Sequence, residues 1–137
     1  MTLAAPLYHL DTSTVVLFLR GKSQTVRERL NAVVAGQIAL SQVVRAELLL
    51  GCLKSQRPAI HRERVDRFLT QVNVVEFDAT GAEHYAEIRA GLESIGKIIG
   101  PNDLYIAAIA RAAGATLVTT NESEFRRVPG LTVENWA

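Results

Sequence analysis

Hydrophobic and polar positions follow two rhythms along the chain. Short apolar runs recur, and between them lie longer stretches in which apolar residues return at helical spacing. Residues 7–10 form the first short run and read as a buried strand that ends at Asp11. Residues 13–19 have helical or turn character, and Gly21 stops them. Residues 24–35 place Val26, Leu30, Val33 and Val34 on one helical face, with Gly36 closing the helix. Residues 37–40 read as a second strand. Ser41 suits the N-cap of a helix running through Leu50, with Gly51 as its stop. Residues 59–70 predict a helix with Val65, Phe68 and Leu69 inward, and the β-branched stretch 72–77 predicts a strand. Asp78 or Thr80 can cap a helix over 81–95. Pro101 suits the first turn of the next helix, 102–113, which Gly114 ends. Residues 115–119 and 131–133 are the last two strands.

Strands separated by helical segments predict an α/β fold with a mainly parallel central sheet flanked by helices. No repeat, low-complexity stretch or linker divides the chain, so residues 1–137 read as one domain.

Composition narrows the class. Of 137 residues, 48% are hydrophobic and 21% charged, enough to bury a core and too apolar for a disordered chain. No apolar run reaches the roughly 20 residues that span a bilayer. Residues 1–6 carry no positive charge ahead of an apolar run, so they do not read as a secretory signal, and the expected location is cytoplasmic. The single cysteine, Cys52, lies in an apolar stretch and reads as a small buried hydrophobe rather than a nucleophile. A net charge of +1 does not by itself call for a nucleic acid. The distribution is more suggestive, because Arg57, His61, Arg62, Arg64 and Arg67 crowd one segment, and Arg126 and Arg127 another. Such clusters can follow phosphates. The interleaved Glu63 and Asp66 equally make the first cluster a solvated helix face.

In an open parallel sheet, chemistry gathers beyond the carboxyl ends of the strands. Asp11 falls directly after the first strand, and Thr119, Thr120 and Asn121 directly after a late one. Asp103 lies in the first turn of a helix. Glu47 lies two turns into the helix after the second strand, among Val43, Val44, Leu48, Leu49 and Leu50, where a charge favours a partnered role. Three carboxylates from separate parts of the chain are thus expected to converge on one end of the sheet. Clustered carboxylates repel one another unless a cation joins them, and hard oxygen ligands select Mg²⁺ or Mn²⁺. Such an ion activates water and stabilises charge on a phosphate. Each residue also has a plainer reading: Asp11 as a helix cap, Asp103 as a first-turn acid, Glu47 as a helix former, Asn121 as a turn residue. His9, His61, His84 and Cys52 are not spaced as a zinc site, and His9 reads as a satisfied core histidine. A phosphotransfer domain using Asp11 as nucleophile is a further reading, but Asp11-Thr12-Ser13 has no second Asp two residues on and the late strand leads to no lysine.

The motifs resemble those of PIN-domain ribonucleases, nearest the bacterial toxins called VapC. Leu7-Tyr8-His9-Leu10-Asp11-Thr12-Ser13 is similar to their opening strand and first acid, and the segment 41–51 around Glu47 to their second motif. The segment 100–108 around Asp103 resembles the third, and 117–125 followed by Val128-Pro129-Gly130-Leu131 the fourth. The resemblance spans nearly the whole chain. It implies an Mg²⁺-dependent endoribonuclease, with Mn²⁺ as a possible substitute, that cuts structured RNA, often tRNA, to arrest translation. It also implies a small antitoxin as partner, a homodimer, and a larger toxin–antitoxin complex, with no membrane. Asp11, Glu47 and Asp103 would be metal-binding and catalytic, with Thr12, Ser13 and Thr119 supporting them by hydrogen bonding. The fourth motif often supplies another acid, and Asn121 stands there, a neutral oxygen ligand; Glu122 or Glu124 is a candidate to compensate, although Glu124, next to Phe125, also reads as facing outward. A second reading is a PIN-fold module that binds RNA or protein without cutting.

Overall fold

A computed structural model describes residues 7–137. The reading of residues 1–6 lies outside the described residues. The chain runs β1 (Tyr8–Leu10), α1 (Thr12–Arg20), α2 (Gln24–Ala32), a 3-10 turn (Ala35–Gln37), β2 (Ile38–Ser41), α3 (Gln42–Leu53), α4 (Pro58–Leu69) and β3 (Asn73–Val75). It continues with α5 (Ala79–Ser94), α6 (Pro101–Ala112), β4 (Thr116–Val118), α7 (Glu122–Phe125) and β5 (Thr132–Glu134).

The five strands make one sheet in the order β3-β2-β1-β4-β5, every neighbouring pair parallel. Parallel strands need long crossovers, and the intervening helices cover the faces. This is why the central strands read as continuous apolar runs: Leu10, Ala39, Leu40, Leu117 and Val118 are all buried. The chain leaves β1 toward β2 and β3, then returns to β4 and β5 on the other side. The strand order therefore reverses between β1 and β4, and a crevice opens beyond their carboxyl ends. Asp11 follows β1 and Thr119 follows β4 at that crevice.

The mainly parallel α/β reading holds, and several boundaries differ. Helix α3 does not stop at Gly51 but runs on to Leu53, because Leu48 and buried Cys52 stand one turn apart on its inner face. Helix α2 ends at Ala32 rather than at Gly36. Val33 and Val34 are extended, as their β-branched side chains favour, and Gly36 lies in the 3-10 turn. Strand β3 covers Asn73–Val75, only the middle of the 72–77 stretch. Asp78, not Thr80, caps α5, accepting from the Gly81 N–H at 2.8 Å, and α5 begins at Ala79. Helix α7 was absent from the sequence reading. Among the described residues no helix is long and apolar enough to cross a membrane.

Candidate active site

Helix α1 begins immediately after β1, and this abrupt turn fixes Asp11. Its Oδ1 accepts from the Thr12 N–H at 2.8 Å, so Asp11 does cap α1. Its Oδ2 accepts from Thr119 Oγ1 at 2.7 Å and from Ser13 Oγ at 3.2 Å. The capping and functional readings are therefore compatible, one oxygen serving the helix and the other the crevice. Ser13 Oγ also accepts the Thr120 N–H at 3.1 Å, and Thr119 Oγ1 accepts the Asn121 N–H at 3.0 Å. These bonds tie the end of β4 to the end of β1. Asp11 is only 6% exposed, and burial raises its pKa against the lowering effect of its three hydrogen bonds.

Glu47 reaches the same place from α3. Thr12 Oγ1 donates to its Oε1 at 2.6 Å, a short bond of the charge-assisted kind. Asp103 projects from the first turn of α6, and its pKa is pushed up to about 6. Burial is the largest cause, followed by repulsion from Asp11, Glu47 and Glu124. Four acids thus sense one another across parts of the chain that are distant in sequence.

The structure brings Asp11, Glu47 and Asp103 together with Thr12, Ser13 and Thr119. Asn121 stands at the edge, where its Nδ2 donates to Glu124 Oε2 at 3.0 Å. Of the two acids beside it, Glu124 faces the cluster, and Glu122 turns away to pair with Arg126 at 3.2 Å. Spacing on α7, had that short helix been foreseen, would have separated them.

His9 departs from expectation. It is buried at 3% exposure, yet its Nε2 has no hydrogen-bond partner among the described residues, so it is not a satisfied core histidine. It lines a cavity with Val75, Glu76 and Thr80, and makes no bond to Asp11. Burial lowers its pKa to about 4, which keeps the imidazole neutral.

The donor set is all carboxylate and hydroxyl oxygen, which suits a hard divalent cation. Among the described residues no three His, Cys, Asp or Glu side chains close around one point. The acids converge without forming a finished cage. Their mutual repulsion is the kind that a bound cation relieves.

Comparisons with known proteins agree with this arrangement. The PIN domain family matches residues 8–131. A ribonuclease VapC2 from Rickettsia felis is 39% identical over 131 residues, 95% of this chain and 98% of that protein. A tRNA(fMet)-specific endonuclease VapC from Shigella flexneri is 38% identical over 130 residues, 95% of this chain and 98% of that protein. Among solved structures, VapBC2 from Rickettsia felis bound to a promoter DNA fragment superposes with a TM-score of 0.89 at 38% identity, covering 96% of this chain and 99% of that one. The chain belongs to the PIN domain family, and within it to the VapC ribonucleases.

Proposed function

We propose that this chain is a divalent-metal-dependent endoribonuclease that cuts structured RNA, with tRNA as its target, and that a small antitoxin protein holds it inactive. The observation that carries the reading is the convergence of Asp11, Glu47 and Asp103, expressed in the raised pKa of Asp103. A bound Mg²⁺, or Mn²⁺ in its place, would be held by these three acids and would supply water activation and charge neutralisation at the phosphodiester. The chain's own residues do the positioning. Thr119 and Ser13 fix the Asp11 carboxylate, and Thr12 fixes that of Glu47, so neither must reorganise when substrate arrives. Asn121 adds a neutral amide at the rim and Glu124 a negative charge.

The Shigella relative's name supports tRNA as substrate. The Rickettsia structure, a VapBC2 assembly on DNA, supports a partner protein and a larger complex. A homodimer and a cytoplasmic location complete the proposal.

The test uses purified protein, free of antitoxin, incubated with total RNA from its own host. Mg²⁺, chelator and the variant Asp11→Asn are run side by side, with circular dichroism as the folding check. Discrete fragments that need metal and vanish in folded Asp11→Asn are expected. Cleavage retained by that variant refutes the site assignment. No cleavage by folded, metal-loaded protein favours a binding module instead.

A further inference from the structure

The basic segment of α4 divides into two sets. Arg62 Nε pairs with Asp66 Oδ1 and Arg67 Nη2 with Glu63 Oε1, both at 2.9 Å on the exposed face. Arg57 and Arg64 have no acidic partner among the described residues. With Arg20 at the end of α1 and Lys54 just past α3, which are equally unpaired, they line a cavity of about 580 Å³. Four unneutralised cations around one hollow raise the local concentration of anions.

That cavity leads to the acids. A smaller hollow of about 120 Å³ shares Leu19, Arg20, Gly51 and His61 with it, and its far wall includes Thr12 and Glu47. Gly51 sits in the shared wall, inside α3, where glycine weakens a helix. A Cβ there would meet no atom within 4 Å, so packing does not demand glycine. What the missing side chain leaves clear is the passage between the two hollows.

We propose that the cavity of Arg20, Lys54, Arg57 and Arg64 is a phosphate-binding subsite for the RNA strand on one side of the cut, and that the opening at Gly51 leads its backbone to Glu47. This rests on the ribonuclease reading. The cations act as positioning residues, binding substrate remote from the reacting bond. Their separation from the paired Arg62 and Arg67 supplies an internal control on the same helix.

The test measures binding of a fluorescein-labelled RNA hairpin, in chelator so that nothing is cut, across a range of salt. The pair Arg57→Gln/Arg64→Gln is compared with Arg62→Gln/Arg67→Gln, with Gly51→Leu and with the natural chain. The cavity pair is expected to weaken binding about tenfold or more and to flatten the salt slope by about 1 to 2, the loss of two phosphate contacts. The outward pair stays within about twofold. Gly51→Leu, which fills the passage, raises KM for cleavage while its melting temperature holds or rises. In steady state the cavity pair raises KM and leaves kcat within about twofold. Equal effects from both pairs, or no hairpin binding by the natural chain, overturn the proposal. So does loss of antitoxin binding by the cavity pair with RNA binding unchanged, which would assign the hollow to an acidic protein segment. Failure of the natural chain to cleave counts against the ribonuclease reading alone, because hairpin binding is scored without metal.

Discussion

Removing the Asp103 charge should make the metal-free protein more stable and useless as a nuclease. Asp103 rises from the ordinary 3.8 to about 6 through burial and the neighbouring Asp11, Glu47 and Glu124. The whole rise corresponds to about 3 kcal/mol of disfavoured charge at neutral pH. Asp103 keeps part of its surface in water, so solvent screening cuts this to about 1–2 kcal/mol. One term opposes. An acid in the first turn of α6 interacts favourably with the helix dipole, about 0.3–1 kcal/mol, and Asn loses that. The net gain for Asp103→Asn is about 1 kcal/mol, roughly 3–5 °C in Tm for a chain of this size. The sign has a pH signature. Because the folded pKa is raised, the contribution of Asp103 to stability is fully present below about 4 and is lost as pH rises through about 6. The advantage of Asp103→Asn should therefore be absent near pH 4, grow to pH 6 and then stay level. The assay is thermal melting in chelator at pH 4 and 7.5, repeated at pH 7.5 with Mg²⁺, where the natural chain should recover its deficit. A variant that melts with or below the natural protein at pH 7.5 in chelator would refute the reasoning, as would an advantage of equal size at pH 4.

Thr119→Val keeps the volume of a buried residue but removes the 2.7 Å bond to Asp11, and should weaken Mg²⁺ or Mn²⁺ binding about 10–100-fold in a calorimetric titration with the fold intact. Metal affinity of the natural chain should fall as pH drops through about 6, because Asp103 must be ionised to ligate; affinity constant from pH 7 to 5 would remove Asp103 from the ligand set. His9→Leu replaces an unpartnered buried nitrogen with carbon and should raise stability by about 1 kcal/mol, read by urea unfolding. The folded pKa of His9 is lowered to about 4, so the natural chain pays most as pH falls from about 6.5 to 4, and the benefit of His9→Leu should widen over that window.

Much of this molecule was legible in its residues, for identifiable reasons. Asp11, Ser41 and Asp78 announce helix starts chemically: Ser41 and Asp78 accept from the N–H three residues on, and Asp11 from that of Thr12. The buried strands show as apolar runs because parallel strands are covered on both faces. What sequence hid depends on tertiary contact. Gly51 looked like a stop, yet the burial of Leu48 and Cys52 carries α3 past it. Helix α7 spans four residues, too few for a period to register. Glu124, which beside Phe125 reads as outward-facing, instead acts on Asp103, while Glu122 is the one drawn away by Arg126. The environment of His9 comes from β3, α5 and the end of α6, far along the chain, and no local pattern encodes it.

The strand order also sets a timetable. Asp11 is made 108 residues before the Thr119 hydroxyl that fixes it. At about 5–20 residues per second the ribosome needs on the order of ten seconds to make that interval. Throughout it β1 has no β4 beside it, α6 has yet to present Asp103, and the acids are not assembled. On a growing chain the acid cluster therefore cannot assemble until β4 has been made and has paired with β1.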